Sequence, residues 1–207
     1  MLPAHDDRPL PPVQALQSAV ATGLALVGQA PRASGPTTAP PHGDLDDSLA
    51  AFDTFSNLLA TQGIRAALHS VLRQSDYRFI GIFRFRNGKA TSAVHVDRMD
   101  LDDLQAATVD EAATYCTFVR DAAAPFVTVD ATRDPRTAGH DARAVVRAYA
   151  GIPIVALDGE FIGTLCHYDL EPRRPEQLDL SLLLRVAGAL ARSGQVPPYP
   201  GVEHGAG

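Results

Sequence analysis

Between residues 77 and 96 the chain alternates. Tyr77, Phe79, Phe83 and Phe85 fall on one side of an extended segment, and Arg78, Ile80, Ile82, Arg84 and Arg86 on the other. A period of two predicts a strand with an aromatic face. Asn87-Gly88 supplies a two-residue turn of the primed type, and residues 90–96 the return strand. A second hairpin is predicted around Asp158-Gly159, between Ile152-Pro153-Ile154-Val155-Ala156-Leu157 and Glu160-Phe161-Ile162-Gly163-Thr164-Leu165-Cys166-His167-Tyr168. A two-residue turn there pairs Leu157 with Glu160, Val155 with Ile162 and Pro153 with Thr164. Ile162, Thr164, Cys166 and Tyr168 then share one face, and Phe161, Gly163, Leu165, His167 and Asp169 the other. Residues 126–130 predict one more strand.

The remaining periodic segments are helical. Asp46-Asp47-Ser48 offers N-caps to a helix carrying Phe52, Phe55 and Leu59 on one face. Ile64, Leu68, Val71 and Leu72 continue the pattern past Gly63, so a kink or restart is expected there. Residues 111–123 read as a helix with Tyr115, Phe118 and Val119 inward, ended by Pro125. A short helix is expected over residues 142–150, ending at Gly151. Pro175 opens a last helix with a stripe of Leu178, Leu182, Leu183, Val186, Leu190 and Ala191, and Gly194 closes it. Residues 97–110 are acidic and read as a loop with helical turns. The order lacks the regular alternation of a doubly wound sheet. The fold class is α+β, an antiparallel sheet with helices on its faces.

Eight of the sixteen prolines precede residue 48, so residues 1–47 read as a Pro-rich flexible tail, 48–194 as one domain and 195–207 as a C-terminal tail. Within the first tail, Val13, Leu16, Val20 and Leu24 lie at the spacing of a short amphipathic helix. A net charge of −6 and a pI near 5.6 give no footprint for nucleic acid or an anionic membrane. Residues 13–27 are too short and too polar to span a bilayer, and the N-terminus lacks the features of a signal peptide. Two cysteines, Cys116 and Cys166, make a disulfide framework unsuited to the chain and fit a reducing compartment. A cytoplasmic protein is expected.

One set of motifs is more specific. Thr114-Tyr115-Cys116 is followed by Val127-Thr128-Val129-Asp130-Ala131 with Asp134-Pro135-Arg136, then by Arg147-Ala148-Tyr149-Ala150-Gly151-Ile152-Pro153-Ile154. Asp158-Gly159, Ile162-Gly163-Thr164-Leu165-Cys166, Asp169 and Pro172-Arg173 complete it. In these blocks and their spacing, from about Leu49 to Arg192, the chain resembles a GAF domain, closest to those of bacterial sensor kinases. The resemblance implies a GAF-like central antiparallel sheet with helices on both faces and the N- and C-terminal helices packed together. It implies a stand-alone small-molecule sensor in bacterial signal transduction, without a catalytic output of its own. A homodimer through those helices, and a separate kinase or cyclase as output protein, are the partners it suggests. The ligand is not specified, since one fold hosts many sites.

The candidate ligand-binding residues are His140, Arg147, Tyr149, Cys166, His167, Cys116 and Asp130. Cysteine is among the most buried residue types, so Cys116 and Cys166 are expected to pack in the core. As redox partners they would need Cα atoms closer than about 7 Å. A tetrapyrrole held through Cys166-His167 is disfavoured, because neighbours on a strand point to opposite faces. His140 and His167 compete with the ordinary role of a hydrogen-bonded histidine. Arg147 and Tyr149 suit an anionic ligand, but Arg147 can instead pair with Asp130 or Asp134. Asp130 with Asp134-Pro135-Arg136 is suited to shaping a loop. The loop after Asp130 carries no cysteine, unlike GAF-type free methionine sulfoxide reductases, and the Asn-Lys-Phe-Asp-Glu signature of cyclic-nucleotide-binding GAF domains is absent. No Ser-His-Asp set, phosphate-cradling loop or metal-spacing motif stands in the sequence. The alternatives to a sensor are a GAF scaffold whose cavity its own side chains fill, and a redox protein using the two cysteines.

Overall fold

The structure, a computed structural model, describes residues 43–104 and 106–200. Its elements are α1 (Gly43–Thr61), α2 (Ile64–Leu72), β1 (Phe79–Arg86), β2 (Lys89–Asp97), β3 (Thr108–Asp110), α3 (Cys116–Ala122), β4 (Phe126–Thr128), β5 (Ala148–Val155), β6 (Phe161–Asp169) and α4 (Leu180–Ser193). The strands form one sheet in the order β3-β2-β1-β6-β5-β4, with every neighbouring pair antiparallel. The fold is α+β, as the pattern predicts.

α1 starts at Gly43, upstream of the caps expected at Asp46, Asp47 and Ser48, which lie inside the helix. The amphipathic segment 13–24 lies outside the described residues. Gly63, at φ 86°, breaks α1 from α2, a conformation open to glycine and costly for other residues. Phe55 and Leu59 of α1, Leu68 and Leu72 of α2 and Leu182, Leu183, Val186 and Leu190 of α4 bury their stripes together on one sheet face. There they meet Ile80, Ile82, Val94, Val96, Ile152, Ile154 and Leu165. This is the main core, and α1 packs beside α4 within it.

The first hairpin turns through Asn87 and Gly88, at φ 51° and 73°, the positive values of a type I′ turn. Tyr77 precedes β1, and its side chain joins Ile80 in the core under the helices instead of the aromatic face. β3 was not predicted. Its three residues are exposed and gain strand geometry only by pairing with Lys89–Thr91 of β2.

The last helix starts at Leu180 with Asp179 as its cap, not at Pro175, which opens a separate 3₁₀ turn (Pro175–Gln177). Three further expectations change. Residues 111–123 divide into a 3₁₀ turn (Glu111–Ala113) and the seven-residue α3, because Thr114 is extended and its hydroxyl accepts the Cys116 backbone N–H at 3.3 Å. The helix expected over 142–150 is a 3₁₀ turn (Asp141–Ala144) followed by β5, whose backbone is held on both sides. Ala148 pairs with Asp169, Tyr149 with Tyr168 and Thr128, and Gly151 with Cys166 and Phe126. The second hairpin closes through three residues, not two. Gly159 N–H donates to Ala156 O, Ala156 N–H donates to Glu160 O, and only Gly159 has positive φ, the type I turn with a glycine bulge. The register therefore pairs Val155 with Phe161, while Pro153–Thr164 falls as expected.

The second sheet face is covered by α3 and the loop between β4 and β5. It forms a smaller core of Phe83, Ala90, Tyr115, Cys116, Val119, Phe126, Ala131, Ala142, Tyr149 and Cys166.

Candidate functional site

Alternation along β5 and β6 decides which candidates meet. Tyr149 and Gly151 of β5 and Cys166 of β6 face α3, whereas His167 points the other way, into the helical core. Cys116, the first residue of α3, drops onto the strands from above. The two sulfurs lie 3.0 Å apart, both cysteines are free and buried, and Tyr149 Oη is 3.2 Å from each sulfur. The phenol donates to Cys116 Sγ.

Gly151 makes this arrangement fit. A Cβ built there would lie 2.3 Å from Tyr149 Oη and 2.6 Å from Val119 Cγ2. Only the missing side chain lets the Tyr149 ring lie along its own strand and reach between the sulfurs. Burial raises the Cys116 thiol, but hydrogen bonds from Cys166, Thr114 and Tyr149 outweigh it and hold it below its ordinary value. Burial first, and then the Cys116 neighbour, push Cys166 well up. Burial and the two sulfurs do the same to Tyr149.

Aromatic rings roof this centre. Tyr115 meets Tyr149 edge-on at 5.5 Å between centroids and His140 at 4.8 Å; Phe118 lies 4.8 Å from Phe126 and 4.9 Å from His140. The Arg136 guanidinium sits 4.7 Å above the Phe126 ring. His140 Nδ1 accepts the Ala142 backbone N–H, and burial lowers its pKa. Tyr115 Oη is buried near Thr137 but outside hydrogen-bonding geometry, and makes no bond among the described residues.

The other candidates serve elsewhere. Arg147 Nη2 binds Asp130 Oδ1 at 3.2 Å, and Asp130 also accepts the Thr132 N–H and hydroxyl. This pair shapes the loop after β4. His167 is fully enclosed, its Nε2 3.4 Å from Ser75 Oγ and its ring 5.4 Å from Tyr77; burial pushes its pKa down to about 3. It is a neutral core histidine. The structure thus joins Cys116, Tyr149 and Cys166 directly and His140 through Tyr115. Gly151, Phe126 and the roofing role of Tyr115 and Phe118 were not singled out as site features. Tyr-Cys at 115–116 opposite Tyr-Ala-Gly at 149–151 carried a signal, but only the pairing of β5 with β6 brings them together. No group of three or more His, Cys, Asp or Glu suited to a metal occurs among the described residues.

A family model for the GAF domain matches residues 60–193, well over half of the chain. The chain belongs to the GAF domain family, a regulatory, small-molecule-sensing fold. No curated protein matches it. Among solved structures it is similar to the GAF domain of an Acinetobacter phosphoenolpyruvate-protein phosphotransferase, at 10% identity and TM-score 0.54, covering 70% of this chain and 90% of that one. It is similar to free methionine-R-sulfoxide reductase of Neisseria meningitidis in complex with its substrate, at 13% identity and TM-score 0.56, covering 76% and 93%. A putative GAF sensor protein from Burkholderia vietnamiensis matches at 15% identity and TM-score 0.51, covering 72% and 94%. At these identities the likeness is one of fold. No helix among the described residues is long and apolar enough to cross a membrane.

Proposed function

We propose that this chain is a regulatory GAF domain of bacterial signal transduction, with no catalytic output of its own, that receives a small-molecule input on the face covered by α3. The observation that carries the reading is the buried polar centre of Cys116, Tyr149 and Cys166 beneath a roof of short elements. Its cover is one seven-residue helix and a loop built of 3₁₀ turns, too short to be stable without the packing beneath them. Tyr115 Oη, buried and making no bond among the described residues, leaves one polar atom there for a ligand to satisfy. The state passes to an output module, a kinase or cyclase, through α1 and α4. α1 exposes Leu45 and Leu49, which suits a homodimer through these helices.

Native mass and an absorbance spectrum of protein purified from its own host test this reading. A colourless protein carrying a small extra mass, or one whose melting rises with a metabolite, supports it. A bare protein that no ligand class stabilises overturns it. The scaffold reading is favoured by two different observations, the self-filled aromatic roof on one sheet face and, at α4 on the helical side, an apolar groove of 190 Å³ lined by Pro125, Ile152, Pro153, Val155, Leu184 and Ala187 among others. A bare protein that captures a partner through that groove would establish it.

A further inference from the structure

We propose that Cys116 and Cys166 are a redox input: a hydroperoxide converts the pair to a disulfide that clamps α3 to β6, with Tyr149 supplying and returning the proton. This deepens the sensor reading and rests on it only for what the signal means, since the chemistry stands on the sulfur geometry. The sulfurs at 3.0 Å need close by only about 1 Å to reach the length of a disulfide bond. One sulfur belongs to the sheet and the other to the first turn of a short helix, so the mobile partner is the helix. Both thiols contact the same phenol, and among the described residues no charged side chain shares their hydrogen bonds.

The geometry assigns the roles. Cys116 Sγ accepts the Tyr149 hydroxyl at 3.2 Å, while the Cys166 thiol has Cys116 Sγ and the Thr164 carbonyl as acceptors, at 3.0 and 3.7 Å. Hydrogen bonds into Cys116 favour its thiolate, which is the nucleophile. Cys116 ionises, releasing a proton to solvent, and its sulfur attacks the outer oxygen of the hydroperoxide. The O–O bond breaks, an S–O bond forms, and Tyr149 Oη protonates the departing oxygen, giving an alcohol or, from hydrogen peroxide, water. The resulting tyrosinate takes the proton of Cys166. That thiolate attacks the Cys116 sulfenic sulfur, the S–S bond forms, and hydroxide leaves and recovers the proton released at the start. Two thiols and one hydroperoxide become one disulfide, one alcohol and one water. A dithiol reverses it.

The test is titration of the full chain with hydrogen peroxide, read by intact mass, thiol count and peptide mapping. The proposal expects both thiols to disappear together, the mass to fall by two hydrogens, a peptide to link residues 116 and 166, and dithiothreitol to restore the start. C116S and C166S should form no link, and C166S should stop at a trappable sulfenic acid on Cys116. Should either serine variant fail to fold, the alanine variant gives the same readout. Y149F, which keeps the ring, should oxidise at least about tenfold more slowly. Thiols that persist under peroxide sufficient to oxidise free cysteine overturn the proposal. So does oxygen added to one cysteine without a link, or linkage no faster than global unfolding. Because mass alone reports the bond, a protein that binds no metabolite can pass, and one that binds a metabolite can fail.

Discussion

Gly151→Ala tests the packing of the centre most sharply, because two effects of opposite sign compete. Alanine in a strand restricts the unfolded chain and, with room available, stabilises by about 0.4–1 kcal/mol. Here there is no room. The added Cβ would lie 2.3 Å from Tyr149 Oη, 2.7 Å from its Cε1 and 2.6 Å from Val119 Cγ2. The hydroxyl cannot swing aside freely, since the residue is buried and its oxygen is lodged between two sulfurs. Overpacking of this kind costs about 1–3 kcal/mol, and losing a buried hydroxyl's bonds adds about 1 kcal/mol. The clash wins, leaving a net loss of about 1–3 kcal/mol. Urea unfolding of the reduced protein, with a slope of about 1–3 kcal/mol/M, should show the midpoint falling by about 1 M at unchanged slope. Gly188→Ala in α4 is the control, because its Cβ would meet only the mobile Arg192 guanidinium at 3.4 Å. It should stabilise by up to about 1 kcal/mol. A Gly151→Ala midpoint equal to or above that of the parent would refute the packing argument.

Other outcomes follow from the same geometry. Asp169→Ala removes the carboxylate that accepts the Arg78 N–H, the Glu171 N–H and two Arg173 nitrogens, and should cost about 3–5 kcal/mol by chemical denaturation, the scale of breaking a buried pair. Burial holds the folded pKa of His167 at about 3, against an ordinary value of 6.5. Because the folded value is depressed, its contribution is complete above about pH 6.5 and is lost as pH falls toward 3, by up to about 1.4 kcal/mol per unit. His167→Phe should flatten that slope in denaturant midpoints taken at several pH values, and an unchanged slope would remove His167 from the account. If the thiols link, closing a loop across a separation of 50 residues should stabilise the oxidised form by about 4 kcal/mol at most, measured against the same protein with dithiothreitol.

The sequence made the architecture legible where patterning is local. Asn87-Gly88 fixed the first hairpin, Gly63 the break between α1 and α2, and the leucine stripe α4. It misled where pairing overrides propensity. Ala142 to Ala150 is a run of good helix formers, yet Ala148 to Gly151 becomes a strand because β4 and β6 flank it. β3 left no periodic signal, being three exposed residues. Asp158-Gly159 marked the right turn but the wrong length, which shifts the register at Val155 by one residue. The site was partly legible. All seven candidates are placed by the fold, and alternation correctly split Cys166 from His167. The meeting of Cys116 with Cys166 could not be read from one sequence, because it depends on how α3 lies over β5 and β6. Nor could the role of Gly151, which looked like a helix stop and is a space for a tyrosine.

The central claim is that a buried thiol–phenol centre serves as an input because its cover opens while the sheet stays folded. Native-state hydrogen exchange of the reduced protein tests this directly. The account expects amides of residues 116–122 and of the loop over 130–147 to exchange through local openings, well before those of β1, β5 and β6. Exchange of the α3 amides only with global unfolding would contradict it, since the centre would then be sealed core.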